Sequence, residues 1–283
     1  MTAWEVLAVA DRDRLGEGPW WDARTEELRW VDIPSRRIRR ATLDGVEGPA
    51  VVAPSDVGFA VPDAVGGVVA GLADGLWRFA GGYWTCLWTA DHDPAAVRIN
   101  DGKTDRRGRV WFGSMHRPET EPLGALYRFV DGRVETVLEG ITTSNGLGWS
   151  PDERTFYYTD SIARTIWAFD SDPDTGDITN RRDFATDVDC FPDGLTVDSS
   201  GAVWAAKWNG SRVVRYHPNG AVDRVIELPV AKPTSVMFAG PQLDVLVVTS
   251  AAKEPTDGDL AGSVFLLDVG ETGIAEQPAR WQE

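Results

Sequence analysis

Two stretches decide the fold: RVWFGSM at 109–115 followed by LYRFVD at 126–131, and TFYYTDS at 155–161 followed by IWAFDS at 166–171. Each is a pair of short runs rich in Trp, Tyr, Phe and Val. Turn-forming residues precede each pair, DRRG at 105–108 and SPDE at 150–153. Runs of this length, bounded by Asp, Gly, Pro and Ser, form strands joined by tight hairpins. The same arrangement recurs outward in both directions. Further first runs are LRWVDI (28–33), GVVAGL (67–72), AVWAAKW (202–208) and DVLVVTS (244–250), and their second runs are RIRRAT, LWRFAG, VVRYHP and VFLLDV. With Trp30, Val69, Trp111, Tyr157, Trp204 and Val247 as register marks, the intervals are 39, 42, 46, 47 and 43 residues.

A period in the low forties is what a four-stranded propeller blade consumes. Six such periods account for nearly the whole chain. The prediction is an all-β, six-bladed β-propeller with four-stranded blades, residues 1–283 forming a single domain. The segment AWEVLAVA (3–10) is expected to supply the outer strand of the last blade, removing a free sheet edge. HRPETEPLG (116–124) and AAKEPTDGDLAG (251–262) exceed the period and read as longer loops on one face. An eight-stranded barrel or sandwich is the alternative, and the six-fold count argues against it.

Composition bounds the function. The chain has 283 residues, 42% of them hydrophobic and 25% charged, enough for a real core. Lys and Arg number 28 against 44 Asp and Glu, a formal charge of −16. Such a field repels nucleic acid and anionic membranes, so neither is expected as a partner. The excess serves solubility first and attracts divalent cations second. No run approaches the roughly 20 apolar residues that cross a bilayer, and MTAWEVLAVADRDR has no basic start, long apolar stretch or cleavage site. Cys86 and Cys190 are the only cysteines and form no CxxC pair. Free thiols and a cytoplasmic location are the expectation.

In a propeller the innermost strand of each blade runs along a central channel. These strands read LGEGPWWD, GFAVPD, RINDGKTD, TSNGLGWS, FPDGLTVD and PTSVMFAG. Four of them place Glu17, Asn100, Asn145 and Asp193 just before Gly or Asp-Gly, at equivalent positions. One such Asn or Asp alone is ordinary turn chemistry. Recurrence in register instead gathers two carboxylates and two amides in one enclosed spot, which requires a cation or a proton for neutrality. Oxygen donors of this kind suit Ca²⁺ first, with Mg²⁺ and Mn²⁺ also possible; Zn²⁺ accepts carboxylates too.

The motifs LGEGPWWD (15–22), RINDGKTDRRGRVWFGSM (98–115), TSNGLGWSPDERTFYYTDS (143–161), FPDGLTVDSSGAVWAAKW (191–208) and PTSVMFAGPQLDVLVVTSA (233–251) resemble those of the regucalcin/gluconolactonase (senescence marker protein) family. The resemblance runs through all six repeats in order. It implies a propeller that binds one divalent metal, commonly Ca²⁺ or Zn²⁺, and hydrolyses small sugar lactones. It also implies metal ligands at Glu17, Asn145 and Asp193, with Asp193 the catalytic base, and substrate contacts from Arg98 and Asn100. The chain departs from the family at Pro118, where many members carry a sugar-holding Glu three residues after the Met of SM. Glu119 and His116 are the substitutes available for that contact, and an ordinary loop histidine is the alternative for His116. Organophosphate-ester hydrolysis on the same metal and a non-catalytic calcium-binding propeller are the rival functions. Trp20, Trp149 and Trp208 lie near the strand entrances, where blade packing and sugar stacking are both open to them.

Overall fold

The structure, a computed structural model, describes residues 4–254 and 256–280. Its described residues form strands and turns with no helix. After β1 (Trp4–Val6), the first blade comprises β2 (Gly16–Asp22), β3 (Glu27–Asp32), β4 (Arg37–Ala41) and β5 (Val51–Val52). The second comprises β6 (Val57–Pro62), β7 (Val68–Leu72), β8 (Gly75–Ala80) and β9 (Tyr83–Thr89). The third comprises β10 (Val97–Thr104), β11 (Val110–His116), β12 (Gly124–Val130) and β13 (Arg133–Ile141). The fourth comprises β14 (Ser144–Trp149), β15 (Thr155–Asp160), β16 (Thr165–Ser171) and β17 (Ile178–Thr186). The fifth comprises β18 (Phe191–Val197), β19 (Val203–Trp208), β20 (Arg212–Tyr216) and β21 (Val222–Glu227). The sixth comprises β22 (Pro233–Ala239), β23 (Val245–Ser250) and β24 (Phe265–Asp268), completed by β1.

Six four-stranded antiparallel sheets result, as the repeat predicts. Trp4, Glu5 and Val6 pair with Leu267, Leu266 and Phe265, so the N-terminal strand closes the last blade. Each inner strand packs against the inner strands of both neighbouring blades, and the ring closes between β2 and β22. The inner strands are almost wholly buried, whereas an outer strand such as β21 is largely exposed.

The turn residues have a definite job. Asp22, Asp63, Asp105 and Asp198 end four of the inner strands, and each carboxylate accepts the backbone N–H two residues on, from Arg24, Val65, Arg107 and Ser200 at 2.9–3.2 Å. This is the local bond that makes Asp a turn former. Asp105 and Asp198 reach further and accept the indole N–H of Trp111 (3.0 Å) and Trp204 (2.9 Å). The register-mark tryptophans are thus tied to the turn that precedes them, while their rings fill the core at 0% exposure. In the first blade Trp30 finds the same kind of partner in Asp13, at 2.8 Å.

Glycines next to the polar positions permit contact between blades. A Cβ on Gly146 would lie 2.6 Å from the Asp193 carbonyl oxygen, and one on Gly194 would lie 2.1 Å from Ser235 Oγ. No side chain fits between strands converging this closely. All six inner strands also shift register near this level, for example between Ile99 and Gly102 and between Pro192 and Leu195. Such bulges redirect side chains.

A C-terminal strap crosses the end of the ring where the inner strands finish. Ser199 N–H donates to Thr272, Gly273 to Leu243, Ala279 to Pro62 and Arg280 to Gly108, linking turns of four blades. Between them Lys103 Nζ meets Glu276 at 3.1 Å, and Ile274, Ala275 and Glu276 lie with Lys103, Gly148, Trp149 and Val197 around a small cavity.

Candidate active site

At the opposite end, the starts of the inner strands surround a cavity with about 540 Å³ of empty space. Glu17 from β2, Arg98 and Asn100 from β10, Asn145 from β14 and Asp193 from β18 all line it, although 176 positions separate the first from the last. Glu119 from the 116–124 loop and Lys253 from the 251–262 loop reach the same cavity, so both long loops sit at this mouth. Leu15, Ile33, Met115, Ile162, Phe191 and Trp208 supply apolar wall.

A chain of hydrogen bonds fixes the polar side chains. Arg98 Nη1 donates to Asn100 Oδ1 at 2.6 Å and to the Ile99 carbonyl at 3.0 Å. Asn100 Nδ2 donates to Asn145 Oδ1 at 2.8 Å and to the Ser144 carbonyl at 2.7 Å. Asn145 Nδ2 donates to Ser161 Oγ at 2.7 Å, and Ser161 passes its own proton to the Pro192 carbonyl at 2.6 Å. Because the Ser161 hydroxyl is spent as a donor there, it must accept from Asn145. The Asn145 amide is therefore held in one orientation, with its oxygen toward Asn100 and one oxygen lone pair still free.

The acids behave differently. Glu17 Oε2 accepts the Gly18 N–H at 3.0 Å, but Asp193 Oδ1 is buried with no hydrogen-bond partner. Burial, then the nearby Asp101, pushes the Glu17 carboxyl up to about 8. Burial, then Glu17 and Asp101, holds Asp193 well above the carboxylate range. Asp101 is itself pushed up to about 6 by burial. Arg98 is drawn down to about 10 by burial and by Arg117, yet it stays a cation at neutral pH. A cation placed between Glu17 and Asp193 would relieve the strain on these carboxyls.

The donor set fits a hard divalent ion: two carboxylates, one of them with an unsatisfied oxygen, and an amide oxygen with a lone pair to spare. Among the described residues no three or more His, Cys, Asp or Glu side chains are grouped to hold a metal ion. The Asn145 amide and water would therefore complete the shell.

Not every expected contact lies here. The His116 ring is outside the cavity wall, and its Nδ1 accepts the Glu121 N–H at 3.0 Å. Together with the Glu119 N–H on the His116 carbonyl (2.9 Å), this bond folds the loop that presents Glu119. Of the three tryptophans, Trp20 is buried in the core and Trp149 stacks on Phe156 at 4.9 Å, while Trp208 alone lines the cavity. Cys86 and Cys190 are both free, and burial pushes the Cys190 thiol up to about 12, leaving it unreactive.

Three groups escaped the sequence reasoning. Asp101 shares the bulge of β10 with Asn100 opposite Gly113, and in NDG it stands directly behind that first polar residue. Lys253 belongs to a loop outside the repeat. Thr143 lines the cavity with a buried, unpartnered hydroxyl, and its place one residue before β14 was the available clue.

Residues 15–252 match the SMP-30/Gluconolactonase/LRE-like region family, and the chain belongs to that family. It is 36% identical to pentonolactonase XacC of Haloferax volcanii over 285 residues, covering 96% of this chain and 97% of that protein. It is 35% identical to human regucalcin, covering 93% of each. Among solved structures, a calcium-binding regucalcin from Agrobacterium tumefaciens superposes with a TM-score of 0.92 at 27% identity, covering 99% of this chain and 98% of that one.

Proposed function

We propose that the protein is a divalent-metal-dependent lactonase that opens small sugar lactones, such as gluconolactone, xylonolactone or arabinolactone, to their aldonic acids. The observation that carries this reading is the meeting of Glu17, Asn145 and Asp193 at one end of the channel, with Asp193 Oδ1 unsatisfied. The similarity to a pentonolactonase over nearly the whole chain supports the substrate class.

Glu17, Asn145 and Asp193 hold the ion, with Ca²⁺ favoured by the all-oxygen donor set. When bound, the ion supplies Lewis-acid polarisation of the lactone carbonyl. Asp193 accepts the proton of the attacking water, since its free oxygen has no competing donor. Arg98, Asn100 and Glu119 hold sugar hydroxyls: guanidinium and amide donate directionally, and the Glu119 carboxylate accepts. Thr143 adds a hydroxyl that has no hydrogen-bond partner among the described residues. His116 orders the loop behind Glu119.

A pH-stat assay on the three lactones tests this. Chelated protein is expected to be inactive and to regain turnover as Ca²⁺, Zn²⁺, Mn²⁺ or Mg²⁺ is restored singly. Calcium binding without turnover of any lactone would leave a binding propeller instead, and full activity after chelation would remove the metal from the scheme.

A further inference from the structure

The cavity does not end at the metal-side residues. A second space of about 980 Å³ lies outside it and shares Leu15, Ile33, Arg98, Met115, Glu119 and Lys253 as common wall. The outer space adds Arg14, Pro34, Asp56, Arg117, Ala252 and Glu254. Any ligand seated at Asp193 and longer than the inner cavity must extend into it.

The charges of this outer space are unevenly matched. Arg117 is neutralised by Asp56 at 2.8 Å. Glu119 faces inward, where its charge acts on Asp193 and Arg98. Among the described residues Arg14 and Lys253 make no side-chain ion pair or hydrogen bond; the Lys253 ammonium rests on the Trp208 ring, 4.8 Å from its centroid, and its charge acts at longer range on Glu17 and Asp193. Glu254 is the third acid lining the outer space, beside Asp56 and Glu119. In a chain of charge −16, acid partners are abundant, yet among the described residues these two cations at the mouth have none within ion-pair distance.

Lys253 is also tied in place from behind. Its backbone N–H donates to Asp257 Oδ2 at 2.9 Å, and Asp257 is clamped by Lys232 Nζ at 2.6 and 2.9 Å. Lys232 lies near the same Trp208 ring, 5.8 Å from its centroid. The loop thus presents the ammonium from a fixed base, and ordering it costs little when a ligand arrives.

We propose that Arg14 and Lys253 select lactones carrying a second, anionic group at the end of the carbon chain remote from the ring ester. The proposal rests on the lactonase reading of the inner cavity and names the substrate class it favours. A terminal carboxylate and a terminal phosphate share the required chemistry, an oxyanion accepting charge-assisted hydrogen bonds from the two cations. Neutral aldonolactones place only a hydroxyl there.

The test compares kcat/KM for a neutral aldonolactone, its terminal-carboxylate counterpart and its terminal-phosphate counterpart, in the wild type and in Arg14→Gln and Lys253→Gln. The wild type is expected to prefer an anionic lactone by about tenfold or more, and each substitution to reduce that preference by about tenfold. The carboxylate and phosphate arms show which group the mouth accepts. Equal kcat/KM for neutral and anionic lactones, or a preference unchanged in both variants, would overturn the proposal. Calorimetry with unreactive glucarate and gluconate supplies an independent readout. If no lactone is turned over, the lactonase reading fails; tighter glucarate binding that weakens in both variants still supports the anion site, and equal binding rejects it.

Discussion

Asp193 is set apart by what is missing around it. A buried carboxylate normally collects donors, as Asp198 does from Ser200, Ala202, Trp204 and Arg215. Asp193 keeps one oxygen empty and feels three further acids instead, Glu17, Asp101 and Glu119. Asp193→Asn is therefore expected to lower lactone kcat by at least about 100-fold with an unchanged far-ultraviolet circular dichroism spectrum, measured by pH-stat. A subtler case is Ser161, which never needs to touch a ligand. It accepts from Asn145 and fixes which end of that amide faces inward. Ser161→Ala should weaken metal affinity by about 10- to 100-fold, read by calorimetric titration of the chelated protein. At this scale the sequence was partly legible. Glu17, Asn145 and Asp193 were visible because each precedes a Gly at the same point of a repeat. Asp101 and Lys253 were hidden, the first behind Asn100 and the second in a loop that obeys no period.

The hairpin between β18 and β19 shows how an element is built from one residue. Burial works against the Asp198 charge, but hydrogen bonds from Ser200, Trp204 and Arg215 outweigh it and hold this carboxyl below the usual range. A carboxyl depressed on folding contributes stability that is complete above its unfolded value, near about 4, and lost as pH falls through the lower folded value. Urea unfolding at stepped acid pH should show the wild type losing stability below about pH 4 more steeply than Asp198→Asn. At neutral pH the same substitution is expected to cost about 2 kcal/mol in urea unfolding, since Arg215 and Trp204 both lose a charged acceptor. Such hairpins were readable in advance because Asp, turn and Trp keep a constant spacing at 105–111 and 198–204. The His116 loop was not. Its length was evident, but a ring nitrogen accepting a backbone N–H leaves no repeat to recognise.

At the scale of the whole molecule, the ring is closed twice, by β1 on the outside of the sixth blade and by the strap across the strand ends. Deleting residues through Val9 would strip the outer edge of β24. The expected result is a fall in Tm of more than about 5 °C with increased aggregation, followed by scanning calorimetry and light scattering. The blade count and the N-terminal closure could be inferred from periodic apolar runs. The strap could not, because GETGIAEQPAR (270–280) joins the turns partly through backbone groups, which are the same in every sequence, and partly through side chains that follow no repeat.

That strap, with the Lys103–Glu276 pair beneath the bulges, lies across the end of the channel opposite the candidate site. On the lactonase reading, substrate and ring-opened acid would share the mouth at the other end. The ring-opened product should then behave as a purely competitive inhibitor, raising apparent KM while leaving the maximal rate untouched.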